Sequence, residues 1–442
     1  MQLYIDNHVV TPKVGQSLLD IINELGYIKG SIATDPIVAK IAGRVFTLNY
    51  IPVHDENTAP DRPSIKMAME ASGGKVKLIK YDDPLGREAY IKTVQFIVFL
   101  ACKRLYPNNI IKMSCSLGDA INFQVTNMKE FDIQELIKEM NWIVEQNIPL
   151  QRNRISLQEA INKYQKAGQE DKTRLLSYRA KDYFSVYEYE DFADYFYGEM
   201  APSTGYLQSW KVLSSRNGFT FILPDRTHPS QVANYQERPS FFNVYAEGER
   251  WSELMECETI ADLNELTETG HIRELIRVNE ALHEKRFSQI ADMICERGAK
   301  AVMLAGPSSS GKTTSANRLA TQLRVHGKAP ILMSLDDYYI DRDKIAPGPD
   351  GKVDLEHINT IDTKLFCENL KDLFAGKEVE IPTFSFLLGK RVWTGHKLQL
   401  KDNSVIIVEG IHGLNPSLIP TDLAPHLVFK LFVSPLLPLN FD

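Results

Sequence analysis

The sequence of 442 residues is poor in cysteine and has no obvious metal-ligand spacing. Its five cysteines are scattered without a CxxC pair, and its ten histidines form no HxxxH or HExxH pair. The cysteines therefore predict free thiols in a reducing compartment, not a disulfide framework or a thiolate metal site. Long apolar runs are lacking too, since none reaches the roughly 18–20 residues that a membrane-spanning helix needs.

An excess of positive charge is also missing. Lys and Arg number 50 against 57 Asp and Glu, which gives a net charge of −7. This balance argues against nucleic-acid binding over the whole protein, although a local basic patch stays open. The N-terminal MQLYIDNHVV lacks the basic and apolar regions of a signal peptide. We therefore expect a cytoplasmic protein without membrane contact.

The length predicts two to four domains, and the pattern of elements suggests where they lie. Residues 1–60 read strand–helix–strand, which suits a small β-grasp module, and the polar stretch HDENTAPDRPS (54–64) is a plausible linker. Residues 65–235 look mixed α+β. The stretch 93–107 reads as an apolar helix, and INFQV, FSVYEYEDF and FTFILP read as strands. The stretch 157–178 reads as a charged, exposed helix pair or hairpin.

Residues 236–298 predict a helical connector that ends at Gly298. From residue 299 to 442, apolar strands alternate with helices, and this order predicts a parallel sheet covered on both faces. The strands expected there include VMLAG, ILMSL, VEIPTF, SVIIVEG and HLVFKLFV. The predicted fold class is therefore multidomain, α+β followed by α/β.

The strongest motif is GPSSSGKTT (306–314), a complete GxxxxGKT that follows an apolar strand and opens a helix. Backbone N–H groups of such a loop surround phosphate oxygens, and the helix directs its positive end at them. Lys312 adds a positive charge for the β- and γ-phosphates, and Thr313 can ligate Mg²⁺. The motif predicts a nucleoside triphosphate site formed by Gly306, Pro307, Ser308, Ser309, Ser310, Gly311, Lys312, Thr313 and Thr314.

Carboxylates follow two later strands. Asp336 and Asp337 stand at the end of ILMSL, and Glu409 ends SVIIVEG. In open parallel sheets this edge faces the ligand, so Asp336 can accept a proton from an attacking hydroxyl. Alternatively, an Asp here only caps the following turn. Asp362, before a predicted helix, has the same simple interpretation as an N-cap.

The order GPSSSGKTT, SLDDYY, DLEH, IPTFSF and VIIVEG resembles the uridine kinase and phosphoribulokinase family. The resemblance implies that Asp336 is the base acting on a nucleoside 5′-hydroxyl and that Glu356, before His357, contacts the ribose hydroxyls. It also implies that Phe384 stacks on the base and that Glu409 lies near Mg²⁺. Arg391 is a further candidate for substrate contact. A His that reads the pyrimidine in the family falls at Gly389, which leaves the base preference open.

The family continues beyond the last strand into an Arg-rich lid helix, whereas this sequence ends at NFD (440–442). The resemblance therefore predicts a C-terminally truncated kinase domain without its lid. Arginines that stabilise the transferring phosphoryl group are worth on the order of 10³–10⁵ in rate in related enzymes. The activity of the chain as given is accordingly left open.

Residues 1–60 resemble a TGS domain, and REAYIKTVQFIVFLACKRLYP with DFADYFYGEMAPSTG resembles the editing domain of threonyl-tRNA synthetases. The four polar residues of the editing site fall here on Phe96, Leu100, Phe196 and Met200, so hydrolytic editing is not expected. Residues 1–60 carry four basic and six acidic side chains, which is no surface for tracking phosphates. A structural, oligomerising or ligand-sensing role is favoured over RNA contact.

The sequence thus predicts an ATP- and Mg²⁺-dependent kinase of a nucleoside, uridine or cytidine first. One alternative keeps the fold but takes another small alcohol or a sugar phosphate, with Lys390 and Arg391 as the candidate cations for its phosphate. A second alternative is a nucleotide-binding regulator that turns over little ATP and acts through its TGS-like half. Homo-oligomerisation stays open.

Overall fold

The computed structural model describes residues 2–53, 72–126, 128–215, 217–348, 351, 353–435 and 439–441. The predicted linker at 54–64 lies outside these ranges. Within them, no helix has the length and apolar character needed to cross a bilayer. The five cysteines are free. The chain divides into two compact units, the first made of Met1–Trp251, Thr259–Ala261 and Asn440–Asp442, the second of Ser252–Glu258 and Asp262–Leu439.

The first unit begins with a mixed five-stranded sheet in the order β2-β1-β5-β3-β4. One helix, α1, follows the first hairpin, and its N-terminus is fixed by a capping box between Ser17 and Asp20. The strand β5 pairs parallel to β1 and antiparallel to β3. The elements are β1 Leu3–Ile5, β2 His8–Val10, α1 Leu18–Glu24, β3 Val38–Ile41, β4 Arg44–Thr47 and β5 Lys75–Ile79.

The strand β5 corrects the domain boundary predicted at residue 60. The sequence assigns residues after 64 to the next domain, yet Lys75–Ile79 completes the first sheet. Val76 is buried in one core cluster with Leu3 and Ile5, and Ile79 is buried in the neighbouring cluster with Val38. The sequence does not reveal this strand, because its pairing partners in the sheet lie about 35 and 70 residues away along the chain.

The rest of the first unit packs a long buried helix, α2, on a four-stranded sheet of order β11-β12-β7-β6. A second sheet, β10-β9-β8, carries the predicted charged helix pair, α4 and α5. The elements are α2 Pro84–Leu105, β6 Ile111–Leu117, β7 Ala120–Val125, α3 Ile133–Glu145, β8 Arg152–Ser156, α4 Leu157–Lys166, α5 Glu170–Ser177, β9 Tyr183–Tyr189, β10 Phe192–Asp194, β11 Lys211–Ser215 and β12 Gly218–Ile222.

Three helices follow, α6 Pro239–Leu254, α7 Ile260–Glu268 and α8 Ile272–Arg297. The predicted end of the last one is confirmed, since Gly298 is the C-cap with a φ of 67°. In this left-handed conformation glycine avoids the steric cost of a Cβ atom.

The second unit is built on a parallel sheet of order β14-β19-β13-β20. Its fully buried strand β13 has no polar face, as the sequence predicts. Apolar residues of α8 and α9 pack on one side of the sheet, and those of α10 pack on the other. The elements are β13 Ala301–Ala305, α9 Lys312–Val325, β14 Ala329–Ser334, α10 Thr363–Phe374, β19 Ser404–Glu409 and β20 Val428–Phe432.

The predicted strand VEIPTF is wrong as a member of this sheet. It splits at Pro382 into two short strands that belong to separate two-stranded ribbons, β15 with β18 and β16 with β17. Proline cannot donate to a ladder, so a break there is expected. These strands are β15 Val379–Glu380, β16 Thr383–Ser385, β17 Lys390–Val392 and β18 Lys397–Leu398.

Short 3-10 turns complete the described elements. In the first unit they are Met128–Glu130 and Thr204–Tyr206; in the second they are Leu335–Tyr338, Arg342–Lys344, Ile358–Thr360, Pro416–Leu418 and Pro425–Leu427.

Candidate active site

The predicted phosphate loop connects the carboxyl end of β13 to the first turn of α9. Ser309 and Gly311 have φ angles of 58° and 85°, so the loop reverses through left-handed backbone. A Cβ atom on Gly306 would lie 2.4 Å from the carbonyl oxygen of Val433. Gly306 therefore leaves no room for a side chain, and the loop curls tightly at the edge of the sheet.

Two side chains of this loop are arranged for an anion. The Ser310 hydroxyl oxygen is buried and has no hydrogen-bond partner in the described part of the chain. The Lys312 Nζ donates to the carbonyl oxygen of Pro307 at 2.9 Å, which folds the side chain back over the loop. A buried hydroxyl without a partner at the N-terminus of a 14-residue helix fits an incoming phosphate oxygen.

Glu409 reaches this loop from the central strand β19. Its backbone is in register with Leu304 on one side and Ser334 on the other, so its carboxylate stands at the carboxyl edge of the sheet. The Thr313 hydroxyl donates to Glu409 Oε1 at 2.9 Å. In the described residues, no three His, Cys, Asp or Glu side chains converge as metal ligands. The protein thus offers one hydroxyl and one carboxylate, a pair that fits Mg²⁺ bound largely through phosphates and water.

Asp336 and Asp337 lie in the 3-10 turn that follows β14. Burial raises the pKa of Asp336, and the negative charges of Glu409 and Asp337 raise it further, while Lys312 opposes the shift. Burial also raises the pKa of Asp337, whose Oδ1 accepts from the Phe384 backbone N–H at 3.2 Å. Asp336 thus remains near the phosphate loop with a carboxylate that is more basic than usual, whereas Asp337 holds the β16 strand.

An aromatic group lies beside these carboxylates. The rings of Tyr339 and Phe384 meet edge to face at a centroid distance of 5.5 Å, and those of Phe384 and Phe386 at 5.2 Å. Phe384 is buried, whereas Phe386 is more than half exposed. Of the predicted stacking residue and its neighbour, Phe386 therefore presents more ring surface to solvent.

Arg391 is held by the protein itself. Its guanidinium donates to Asp362 Oδ2 at 3.0 Å and to the carbonyl oxygens of Tyr339 and Tyr338 at 3.2 and 3.4 Å. Asp362 also accepts from the Leu365 backbone N–H, so it is the predicted N-cap of α10 as well. These bonds fasten the β16–β17 hairpin to the segment that carries Asp336.

Glu356 and His357 lie in an exposed loop before the 3-10 turn Ile358–Thr360. The His357 Nδ1 accepts from the Asn359 backbone N–H at 3.2 Å, so this ring caps the turn. The Glu356 carboxylate makes no ion pair or hydrogen bond with the described residues, while its backbone N–H donates to Asp354 Oδ1 at 2.9 Å. Of the two, Glu356 has the side chain available to a ligand.

Two residues near the site escape the sequence analysis. His412 lies three residues beyond Glu409, and its Nε2 is 2.7 Å from the carbonyl oxygen of Glu356. Arg342 packs against Gly389, where a Cβ atom would lie 2.8 Å from the Arg342 Cδ and where φ is 65°. A side chain at position 389 would therefore have to displace Arg342 and adopt left-handed backbone. The sequence feature that could have identified His412 is its position three residues after a strand that ends in a carboxylate.

In the first unit, the four positions that match the editing site come together as apolar core. Phe96, Leu100 and Met200 are buried, and the Phe96 and Phe196 rings lie 6.3 Å apart between centroids. Phe96 also packs against Phe192 at 5.4 Å. None of these four side chains carries a titratable group.

Comparison with known proteins concerns the second unit. Residues 301–441 match the model of the Phosphoribulokinase / Uridine kinase family. The uridine kinases of Staphylococcus aureus strains JH9 and Newman are each 38% identical over 111 residues, covering 25% of this chain and 52% of the relative. The chain thus spans about half the length of these curated relatives.

Two solved structures also match. One, described as a possible uridine kinase from Bacillus stearothermophilus, is 23% identical, with 30% of this chain and 70% of that chain covered and a TM-score of 0.26. The D-glycerate 3-kinase from Cryptococcus neoformans is 20% identical, with coverages of 29% and 52% and a TM-score of 0.22. The family match, together with the phosphate loop and parallel sheet described above, identifies residues 301–441 as a domain of the phosphoribulokinase / uridine kinase family.

Proposed function

We propose that the second unit is an ATP-dependent kinase that transfers the γ-phosphoryl group to the 5′-hydroxyl of a nucleoside, with uridine and cytidine as the first acceptors to test. One observation carries the proposal. The phosphate loop, the Thr313–Glu409 pair and the Asp336 carboxyl with its raised pKa meet at one edge of the parallel sheet.

In this proposal, the protein acts mainly by positioning and by neutralising charge. Backbone N–H groups of the loop and the Ser310 hydroxyl hold phosphate oxygens. Lys312 exchanges its bond to the Pro307 carbonyl for one to the phosphates. When bound, Mg²⁺ neutralises the β- and γ-phosphate oxygens, and Thr313 and Glu409 are the residues that would hold it. Asp336 accepts the proton of the attacking hydroxyl, a role that suits a carboxylate of raised pKa.

The acceptor would lie between Asp336 and the aromatic group. Phe386, which packs edge to face on the buried Phe384, offers exposed ring surface to a base, and Glu356 offers a free carboxylate to the ribose hydroxyls. Gly389 offers no side chain to a base, which supports weak discrimination between bases from that side of the site.

The sugar-phosphate alternative has less support than the nucleoside. Lys390 pairs with Asp343 at 3.5 Å, and Arg391 is engaged by Asp362 and two carbonyl oxygens. Both cations that were candidates for an acceptor phosphate thus already have partners inside the protein.

For the first unit we propose a non-catalytic role, either structural, oligomerising or ligand-sensing. The strand order β2-β1-β5-β3-β4 with one helix supports a TGS-like β-grasp module. The apolar packing of Phe96 and Phe196 supports an editing-like domain that has no hydrolytic site.

The test is ADP release by the full chain with Mg·ATP, with and without a panel of uridine, cytidine, adenosine and guanosine. The proposal predicts release that depends on a pyrimidine nucleoside. ATP that raises the melting temperature by mass action, without nucleoside-dependent ADP release, would refute the kinase and favour the regulator.

A further inference from the structure

His412 links the strand that carries Glu409 to the loop that carries Glu356. Its Nε2 lies 2.7 Å from the Glu356 main-chain oxygen, across 56 residues of sequence. Because a carbonyl oxygen only accepts, Nε2 must carry the proton and donate, whether the ring is neutral or charged. This bond joins backbone to side chain and leaves the Glu356 carboxylate free.

Both backbone polar groups of Glu356 have hydrogen-bond partners. Its N–H donates to Asp354 Oδ1 at 2.9 Å, and its C=O accepts from His412. Beyond it, Thr360 Oγ1 donates to the carbonyl oxygen of His357 at 2.6 Å, which fixes the following turn. The backbone of Glu356 is thus held on both sides while its side chain stays exposed.

The segment that follows Glu356 pairs with the segment that follows Asp336. Tyr339 and Ile361 form an antiparallel bridge, and the Ile340 N–H donates to the Thr360 carbonyl oxygen at 2.8 Å. Burial raises the pKa of Tyr339, and the negative charges of Asp336 and Glu356 raise it further. The raised pKa of Tyr339 accords with this pairing of the two segments. Since Tyr339 also packs against Phe384, the segment that carries Glu356 is joined to the aromatic group of the site.

The turn from which His412 projects has little freedom to move. A Cβ atom on Gly413 would lie 2.5 Å from the Leu304 carbonyl oxygen, and one on Gly410 would lie 2.7 Å from Leu335 Cβ. The Gly413 N–H donates to the Gly410 carbonyl at 3.1 Å. The turn is thus packed against the strand β13 that enters the phosphate loop, so the His412 ring starts from a rigid base.

We propose that His412 is a positioning residue that sets the Glu356 carboxylate at the acceptor site by holding its backbone to the rigid end of β19. The proposal rests on the proposed nucleoside kinase function. It predicts that loss of the His412 donor weakens acceptor binding and leaves ATP binding unchanged, because no bond of the phosphate loop runs through His412 in the described structure.

The experiment compares His412→Ala with His412→Gln, whose amide can place an N–H donor where Nε2 stands. His426→Ala is the matched control, since this exposed histidine lies in the turn before β20, at the opposite end of the sheet. Three quantities are measured in the full chain. They are KM for uridine, the dissociation constant of a non-hydrolysable ATP analogue, and hydrogen–deuterium exchange of the segment 353–360.

We expect His412→Ala to raise KM for uridine about 3- to 10-fold, the effect of one lost hydrogen bond. Hydrogen–deuterium exchange across 353–360 should rise, and the affinity for the ATP analogue should stay constant. In His412→Gln, both KM and exchange should stay close to their wild-type values. Unchanged exchange in His412→Ala would overturn the proposal. So would faster exchange with an unchanged KM, because His412 would then only stabilise the loop.

Failure of the proposed function is a separate outcome. If the wild-type chain releases no ADP with any nucleoside, the kinase assignment fails. Equilibrium binding of labelled uridine with the ATP analogue then replaces KM in the comparison. If uridine does not bind either, the positioning role fails together with the kinase, and the exchange of 353–360 then shows only whether His412 stabilises the loop.

Discussion

The Thr313 hydroxyl donates to the Glu409 carboxylate at 2.9 Å, although 96 residues separate them in the sequence. One belongs to the first turn of α9 and the other ends the central strand of the sheet. The pair holds a hydroxyl and a carboxylate side by side next to the phosphate loop. The predictions below test the residues around this pair.

Lys312→Ala should lower ADP release at least about 100-fold, because a charged donor to the transferring phosphates is lost. The matched control is Lys377→Ala. Lys377 forms an exposed ion pair with Asp372 at 2.8 Å, and exposed pairs contribute little to stability. Full activity of Lys312→Ala in a steady-state ADP assay would contradict the role given to the loop.

Asp336→Asn should lower kcat about 10²- to 10⁴-fold, the range for loss of a general base. The affinity for ATP should change far less, because Asp336 does not belong to the phosphate loop. Steady-state kinetics measure kcat, and equilibrium titration measures the affinity for ATP. Equal losses in both would assign Asp336 a structural or metal-binding role.

The same substitution should stabilise the second unit at neutral pH. Since the folded-state pKa of Asp336 is raised above its ordinary value of 3.8, the folded protein binds this proton more tightly than the unfolded chain. The stabilising contribution is present below pH 3.8 and is lost as pH rises through the folded pKa. At pH 7 the partly buried carboxylate is therefore destabilising.

Asparagine mimics the protonated acid, so Asp336→Asn should unfold at a higher temperature than wild type at pH 7. The difference should shrink as the pH is lowered toward 4. Thermal melts across this range measure it, and a stability gain independent of pH would show that charge is not its cause.

Arg391→Met should destabilise the second unit by about 1–3 kcal/mol, because it removes charge-assisted bonds from a largely buried guanidinium. Lys390→Met is the control, since its pair with Asp343 is exposed and 3.5 Å long. Urea unfolding of the wild type and both variants measures the change in the free energy of unfolding. An unchanged midpoint, combined with a raised KM for the nucleoside, would instead support the predicted substrate contact.

Local patterns account for the parts of the site that the sequence predicts. The phosphate loop needs only nine consecutive residues between a strand and a helix, and the carboxylates Asp336 and Glu409 follow apolar strands that are recognisable on their own. Parallel pairing then brings the strand ends to one edge. The helix ends are local too, as the Gly298 C-cap illustrates.

The features that the sequence misses depend on distant partners. The break of VEIPTF into two ribbons depends on pairing with Lys390–Val392 and Lys397–Leu398. The place of Lys75–Ile79 in the first sheet depends on Tyr4 and Ile5. His412 and Arg391 likewise take their contacts across about 56 and 29 residues, where no short-range periodicity reports them.

Because β19 lies between β14 and β13, its backbone pairing fixes the position of the Glu409 carboxylate. Side chains alternate between the two faces of a strand, so a slip of one residue against β13 or β14 would reverse every side chain of β19. Two ladders, one on each side, oppose such a slip. Evolution can therefore exchange one aliphatic residue for another within Val405–Val408 without moving the acid, whereas inserting or deleting a single residue there would separate Glu409 from Thr313.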